Sequence, residues 1–131
     1  MDMDGELSVA DVLVVEDDQG CVDLIEEVIR ELGHGAVCCE RIDDAIKLLG
    51  ERPIRLVILD VMLPDGDGFG LLQAIRSDPK LAALPVMLCT AALFEVTEYR
   101  KPVNDPLTEL VSKPFHIETF VQVAERLLAA R

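Results

Sequence analysis

In two places an aliphatic run stops abruptly at acid. "VLVVEDD" sets Glu16, Asp17 and Asp18 after Val12–Val15, and "LVILDVMLPDGDG" sets Asp60 after Leu56–Leu59, with Asp65 and Asp67 next along the chain. Much further on, "LPVMLCT" ends in Thr90 and "LTELVSKPF" carries Lys113. Were Glu16, Asp17 and Asp60 to meet, their repulsion would drive pKa values up, and a hard divalent cation would relieve it. Mg²⁺ suits such a set, because it takes one or a few carboxylates, a carbonyl and several waters and commonly shares its site with phosphate oxygens. Lys113 would add a positive charge and Thr90 a hydroxyl, the groups needed around the equatorial oxygens of a phosphoryl group in transfer. Asp60 is then the candidate nucleophile.

Each of these residues also has an ordinary structural use. A strand-terminal Asp is commonly a turn former or helix cap, and Asp18 is assigned that role here. Asp65 and Asp67 alternate with Gly66 and Gly68 without the acid that a calcium loop needs further on, and are assigned as solvated turn acids. His34 and His116 lack metal-ligand partners at workable spacing and are assigned to the surface or to capping.

The elements that would position these groups can be read from periodicity. "DVLVVED" and "IRLVILD" are continuous apolar runs of strand length, suited to strands buried on both faces, and "AVCCE", "LPVMLCT" and "LTELVS" complete a set of five. Between them, Val22, Ile25, Val28, Ile29 and Leu32 recur at helical spacing, with Asp18 to begin the helix and Gly33 to end it. "DDAIKLLGERP" is a second helix closed by Pro53, "GFGLLQAIRSDPK" a third stopped at Asp78-Pro79, and "HIETFVQVAERLLAAR" a last one with Phe120, Ala124 and Leu127 in its stripe. The stretch 91–106 is weakly helical and broken by Pro102 and Pro106. Strands alternating with helices predict an α/β domain, a doubly wound parallel sheet with helices on both faces. The expected layout is a tail over residues 1–10 and the domain over 11–131. In such a sheet ligands bind beyond the carboxyl ends of the strands, which is where Glu16, Asp17, Asp60, Thr90 and Lys113 all fall.

Composition narrows the function classes. The chain has 131 residues and a formal net charge of −13, so its field repels phosphate backbones, and direct nucleic-acid binding is not expected. Mean hydropathy is +0.30, yet no apolar run approaches the roughly 18 residues of a membrane span. The N-terminus lacks the basic and apolar regions of a signal peptide, so a cytoplasmic location is expected. Cys21, Cys38, Cys39 and Cys89 have no zinc-type spacing and are expected as reduced core thiols.

The four motif blocks "VLVVEDD", "LVILDVMLPDGDG", "CTA" and "SKPF", in this order and at these separations, resemble those of bacterial response-regulator receiver domains, the phosphoacceptor half of two-component signalling. The resemblance spans roughly residues 11–130. It implies a flavodoxin-like five-stranded parallel sheet of order 2-1-3-4-5, Asp60 as the phosphorylated aspartate, and Glu16 and Asp17 as the Mg²⁺-binding acid pair, with Mn²⁺ an acceptable replacement. It further implies that the Met62 carbonyl is a metal ligand, Thr90 the switch hydroxyl, Lys113 the lysine that pairs with the phosphoryl group, and Lys113-Pro114 a cis bond. The implied partners are a sensor histidine kinase or phosphotransfer protein upstream, and downstream a protein target or an attached output domain absent from this chain.

Two departures from the family pattern bear on the response to phosphorylation. Leu110 stands where most receivers have Tyr or Phe, and "RKPVNDPLTE" replaces the usual Gly-Ala-Asp-Asp approach to the fifth strand. The relay from Thr90 to an aromatic ring is therefore expected to be altered, and the docking surface near residues 92–111 unusual. A phosphorylation-independent interaction module is the alternative this raises. A turnover phosphohydrolase is disfavoured, since the residue two past Asp60 is Met62 rather than a carboxylate.

Overall fold

The computed structural model describes residues 10–90, 105–113 and 116–130. Five parallel strands form one sheet: β1 (Ala10–Val15), β2 (Gly35–Cys39), β3 (Leu56–Asp60), β6 (Val86–Thr90) and β7 (Thr108–Ser112), in the order β2-β1-β3-β6-β7. Counting these strands alone, the order is 2-1-3-4-5, in agreement with the expected topology. A short antiparallel ribbon, β4 (Met62–Leu63) with β5 (Gly66–Asp67), interrupts the series just after β3. The helices are α1 (Gln19–Glu31), α2 (Ile42–Glu51), α3 (Gly68–Ser77) and α4 (Ile117–Ala129). The weak helix expected over 91–106 falls mostly outside the described residues, as does the 92–104 part of the expected docking surface.

The period-2 geometry of a strand sends successive side chains to opposite faces, and the core divides accordingly. Leu13, Val15, Val57, Leu59, Val86 and Leu88 meet α2 and α3 through Ala45, Leu49, Leu71 and Ile75. Val12, Val14, Leu56, Ile58, Met87 and Cys89 meet α1 and α4 through Ile25, Ile29, Phe120 and Leu127. All five residues of β3 are buried, and the four before Asp60 are apolar without alternation because both faces of the strand are covered. Burying one such aliphatic side chain stabilises by about 1.5–3 kcal/mol, so the two-faced core is what fixes the strand ends in space.

The helix boundaries explain how the loops reach those ends. Asp18 caps α1, its carboxylate accepting the Cys21 amide, and Gly33 at φ +87 closes the helix with Gly33 N–H on Arg30 O and His34 N–H on Ile29 O. His34 is then held by Asp11, Nδ1 to Oδ2 at 2.8 Å, which orders the start of β1 against the start of β2. His116 stands at the N-cap of α4 but makes no side-chain cap bond. Of the four cysteines, only Cys89 is a core residue; Cys21, Cys38 and Cys39 are part-exposed, because the helix start and the edge strand that carry them are covered on one side only. All four thiols are free. Burial pushes Cys38 up to about 12 and Cys39 up to about 11, so both stay protonated at neutral pH.

Candidate functional site

β1 and β3 are adjacent and parallel, in register from Val12 with Leu56 to Val15 with Leu59, so the residues just past Val15 and at the end of β3 share one rim. Glu16 and Asp17 lie just past β1, Asp60 is the last residue of β3, and Lys113 comes directly after β7. One carboxylate oxygen from each of Glu16, Asp17 and Asp60 lies within 4.8 Å of the others. Lys113 reaches in from two strands away, its Nζ donating to Glu16 Oε1 at 2.6 Å and to Asp60 Oδ2 at 3.0 Å. Glu16 is 2% exposed and Asp60 8%, whereas Asp17 is open to solvent.

Backbone amides complete the acids' coordination. Asp60 Oδ1 accepts the Met62 N–H at 3.1 Å, and Glu16 Oε2 accepts the Asp18 N–H at 3.1 Å. Burial raises the pKa of Glu16; Lys113 and the Asp18 amide pull it down, the Asp60 charge pushes it up, and the balance lies above the ordinary carboxylate value. Burial opposes the Lys113 ammonium, but its hydrogen bonds to Glu16 and Asp60 more than offset this and hold it above the usual lysine value. With all groups ionised the cluster carries three negative charges and one positive. That imbalance of two, presented by hard carboxylate oxygens on a half-open rim, fits a divalent cation such as Mg²⁺. Among the described residues no other set of three His, Cys, Asp or Glu side chains gathers ligand atoms this closely.

The other candidate residues lie at or near this rim. Thr90 ends β6, paired in register with Ser112. Met62 opens β4 directly beside Asp60, its side chain exposed and its amide turned to the acid. Leu110 lies in β7 opposite Leu88 and is 39% exposed. Pro114 lies outside the described residues, and with it the bond expected to be cis.

Of the two acids assigned as solvated turn residues, Asp67 is exposed as expected but also caps a helix, and Asp65 is largely covered and bonded to a distant element. Asp67 is the N-cap of α3, accepting Phe69 N–H at 2.7 Å and Gly70 N–H at 3.3 Å. Asp65 reaches across to α2, accepting Ile42 N–H at 2.8 Å and Asp43 N–H at 3.2 Å. These bonds, led by the one from Ile42, hold its carboxyl below the ordinary aspartate value. The available signal was the start of α2, where Arg41 occupies the N-cap and has no capping oxygen. Gly68 is also fixed by the site: a Cβ there would collide with the carbonyl oxygen of Asp60, and its own N–H donates to Val61 O at 2.6 Å.

A family model, the response regulator receiver domain, matches residues 12–125. The transcriptional regulatory protein GltR of Pseudomonas aeruginosa is 41% identical over 84 residues, covering 64% of this chain and 35% of its own length. An uncharacterised 14.6 kDa protein of Leptolyngbya boryana is 32% identical over 119 residues, 88% of this chain and 90% of that protein. The DNA-binding regulator RpaA of Synechocystis is 28% identical over 89% of this chain, which spans 48% of it. The chain thus spans about a third to a half of these two transcriptional regulators. In three dimensions it superposes on the receiver domain of NtrX from Brucella abortus with a TM-score of 0.77 and 28% identity, covering 92% of this chain and all of that one.

Proposed function

This chain belongs to the response-regulator receiver family, and from that premise we propose that Asp60 accepts a phosphoryl group from the phosphohistidine of a sensor histidine kinase or phosphotransfer protein. The family's role in phosphoacceptor signalling supports this, and the observation that carries it is the bridge from Lys113 to both Glu16 and Asp60 beside an open Asp17. In the transfer, a carboxylate oxygen of Asp60 attacks phosphorus in line. The O–P bond forms as the P–N bond breaks, and the imidazole leaves with the electron pair and takes up a proton. Lys113 supplies a fixed positive charge for the equatorial oxygens, and the Met62 amide holds the carboxylate in place. Glu16, Asp17, Asp60 and the Met62 carbonyl would hold Mg²⁺, which when bound neutralises charge on the incoming phosphoryl oxygens.

Thr90 at the end of β6 is assigned the switch hydroxyl. Leu110 favours a second reading, because an aliphatic side chain at that position cannot reproduce the swing of an aromatic ring; a module that binds its partner regardless of phosphorylation would need no such ring. In either case the partner is a protein: a downstream target, or an output domain of the kind carried by the longer relatives. Among the described residues no helix is long and apolar enough to cross a membrane, and we place the chain in the cytoplasm.

Incubation with a small acyl phosphate and Mg²⁺, and then intact mass measurement, tests the main reading. The expected product is a single acid-labile phosphoryl adduct on the parent. An equal adduct on Asp60→Asn, or none on the parent, overturns it.

A further inference from the structure

The Asp65 carboxylate sits at the turn of the β4–β5 ribbon, a place where aspartate is ordinarily wet, yet its side chain is only 11% exposed. Both its oxygens are used on another element: Oδ1 takes the Ile42 amide and Oδ2 the Asp43 amide of α2. That helix has no side-chain cap of its own, since Arg41 occupies the N-cap. The ribbon and the helix also touch through carbon. Gly66, at φ +153, approaches Ile42 so closely that an added Cβ would lie 3.0 Å from Ile42 Cδ1, and Ile42 and Leu63 pack on the same core cluster.

The other strand of the ribbon begins at Met62, whose amide donates to Asp60 Oδ1 and whose carbonyl is assigned to the metal. The ribbon itself is two residues per strand, paired only Met62 with Asp67 and Leu63 with Gly66, and so short a hairpin has little rigidity of its own. Something outside it must fix where Met62 stands. Gly68 N–H on Val61 O secures one end, and the Asp65 tie to α2 secures the turn.

We propose that Asp65 is a positioning residue for the Asp60 site: by capping α2 from a distance it anchors the β4–β5 ribbon, and thereby holds the Met62 backbone in place beside Asp60. This rests on the reading of Asp60 as a phosphoacceptor served by Mg²⁺. Outer partners that orient metal ligands are commonly worth 10–100-fold in affinity, and a tie acting through four residues of backbone belongs at the lower end of that range.

The test is Mg²⁺ affinity, measured by isothermal titration calorimetry on the full chain well below the melting midpoint, with folding verified by circular dichroism. Four proteins are compared: the parent, Asp65→Ala, Asp65→Asn, and Asp65→Ala combined with Arg41→Ser. The last gives α2 a local cap and leaves the ribbon untied. Asp65→Ala is expected to weaken Mg²⁺ binding on the order of tenfold and to lower the midpoint by a few degrees. Asp65→Asn, which keeps an acceptor oxygen, is expected to recover part of the affinity. Adding Arg41→Ser to Asp65→Ala is expected to raise the midpoint again while affinity stays low. If affinity returns with stability, or if Asp65→Ala binds as the parent does, the positioning role is wrong and the site reading stands. If the parent itself binds no Mg²⁺, the site reading falls and takes this inference with it.

Discussion

Two ion-paired clusters stand at opposite ends of the same parallel sheet. At the carboxyl ends of β1, β3 and β7, Lys113 faces three carboxylates, and the half-open rim leaves Asp17 in water. At the amino ends of β6 and β7, Arg76 donates from Nε to Asp105 Oδ2 at 3.2 Å, from Nη1 to Leu84 O at 2.6 Å and from Nη2 to Thr108 Oγ1 at 2.6 Å. Thr108 in turn donates to Asp105 Oδ2 at 2.6 Å, and Asp105 Oδ1 accepts the Leu107 amide at 3.2 Å. Among the described residues the charges there cancel one for one, and the planar guanidinium ties α3 to the starts of β6 and β7 at once. A balanced, saturated pair of this kind serves as a staple. An unbalanced one, with charge left over and one member in solvent, is built to receive something.

Substitutions on the two clusters should therefore separate function from stability. The largest effect expected is that of Asp60→Asn, which abolishes phosphoryl incorporation by intact mass while leaving the urea midpoint at or above the parent's, because it relieves repulsion among buried acids. A clear loss of stability would mean that the upper cluster is also a staple. Next, Arg76→Ala should cost about 2–4 kcal/mol in urea unfolding, somewhat under the figure for a fully buried pair, since the Arg76 side chain is 21% exposed. Mg²⁺ affinity in this variant should stay within about twofold of the parent, a change of under 0.5 kcal/mol. Asp17→Asn reverses that pattern. Calorimetry should show Mg²⁺ binding weakened about tenfold or more, with stability altered by no more than ~0.5 kcal/mol because the residue is exposed.

The smallest effect expected is in the pH profile. Burial works to raise the Asp105 carboxyl, but Thr108, Arg76 and the Leu107 amide together hold it below the ordinary value of 3.8. A depressed carboxyl contributes stability above 3.8 and loses it as pH falls through the lower folded-state value. The parent and Asp105→Asn should accordingly differ most in melting temperature above 3.8 and converge below it. Glu16 has the opposite sign: its raised pKa favours the folded state below the ordinary value of 4.5, an advantage lost as pH rises through the folded-state value. Glu16→Gln should therefore flatten the profile just above 4.5 without touching the convergence seen with Asp105→Asn.

The parallel sheet and the meeting of Glu16, Asp17 and Asp60 were legible, because each depends on where an apolar run stops, and runs of four or more aliphatic residues are visible without partners. The strand order was implied by the resemblance of the four motif blocks, and Lys113 was placed by the shorter mixed strand "LTELVS" before it. Asp67 and Asp65 show where legibility ends. Both stand in one Gly-rich turn and look alike in sequence, yet Asp67 bonds amides two and three residues ahead while Asp65 bonds amides 22 and 23 residues behind. The Arg76 staple is of the second kind, its side-chain partners lying 29 and 32 residues away. The β4–β5 ribbon is illegible for another reason: two residues per strand carry no alternation to detect.

The sequence by itself determined the strands of the main sheet, the four helices and the rim on which the acids stand, since periodicity and the termination of apolar runs are local properties written along the chain. Only the tertiary structure decided which polar groups are saturated and which retain unbalanced charge. Hydrogen-bond partners separated by tens of residues are chosen by packing, and nothing about Asp65 or Arg76 alone reveals which amide or hydroxyl the closed sheet will bring within 3 Å of it.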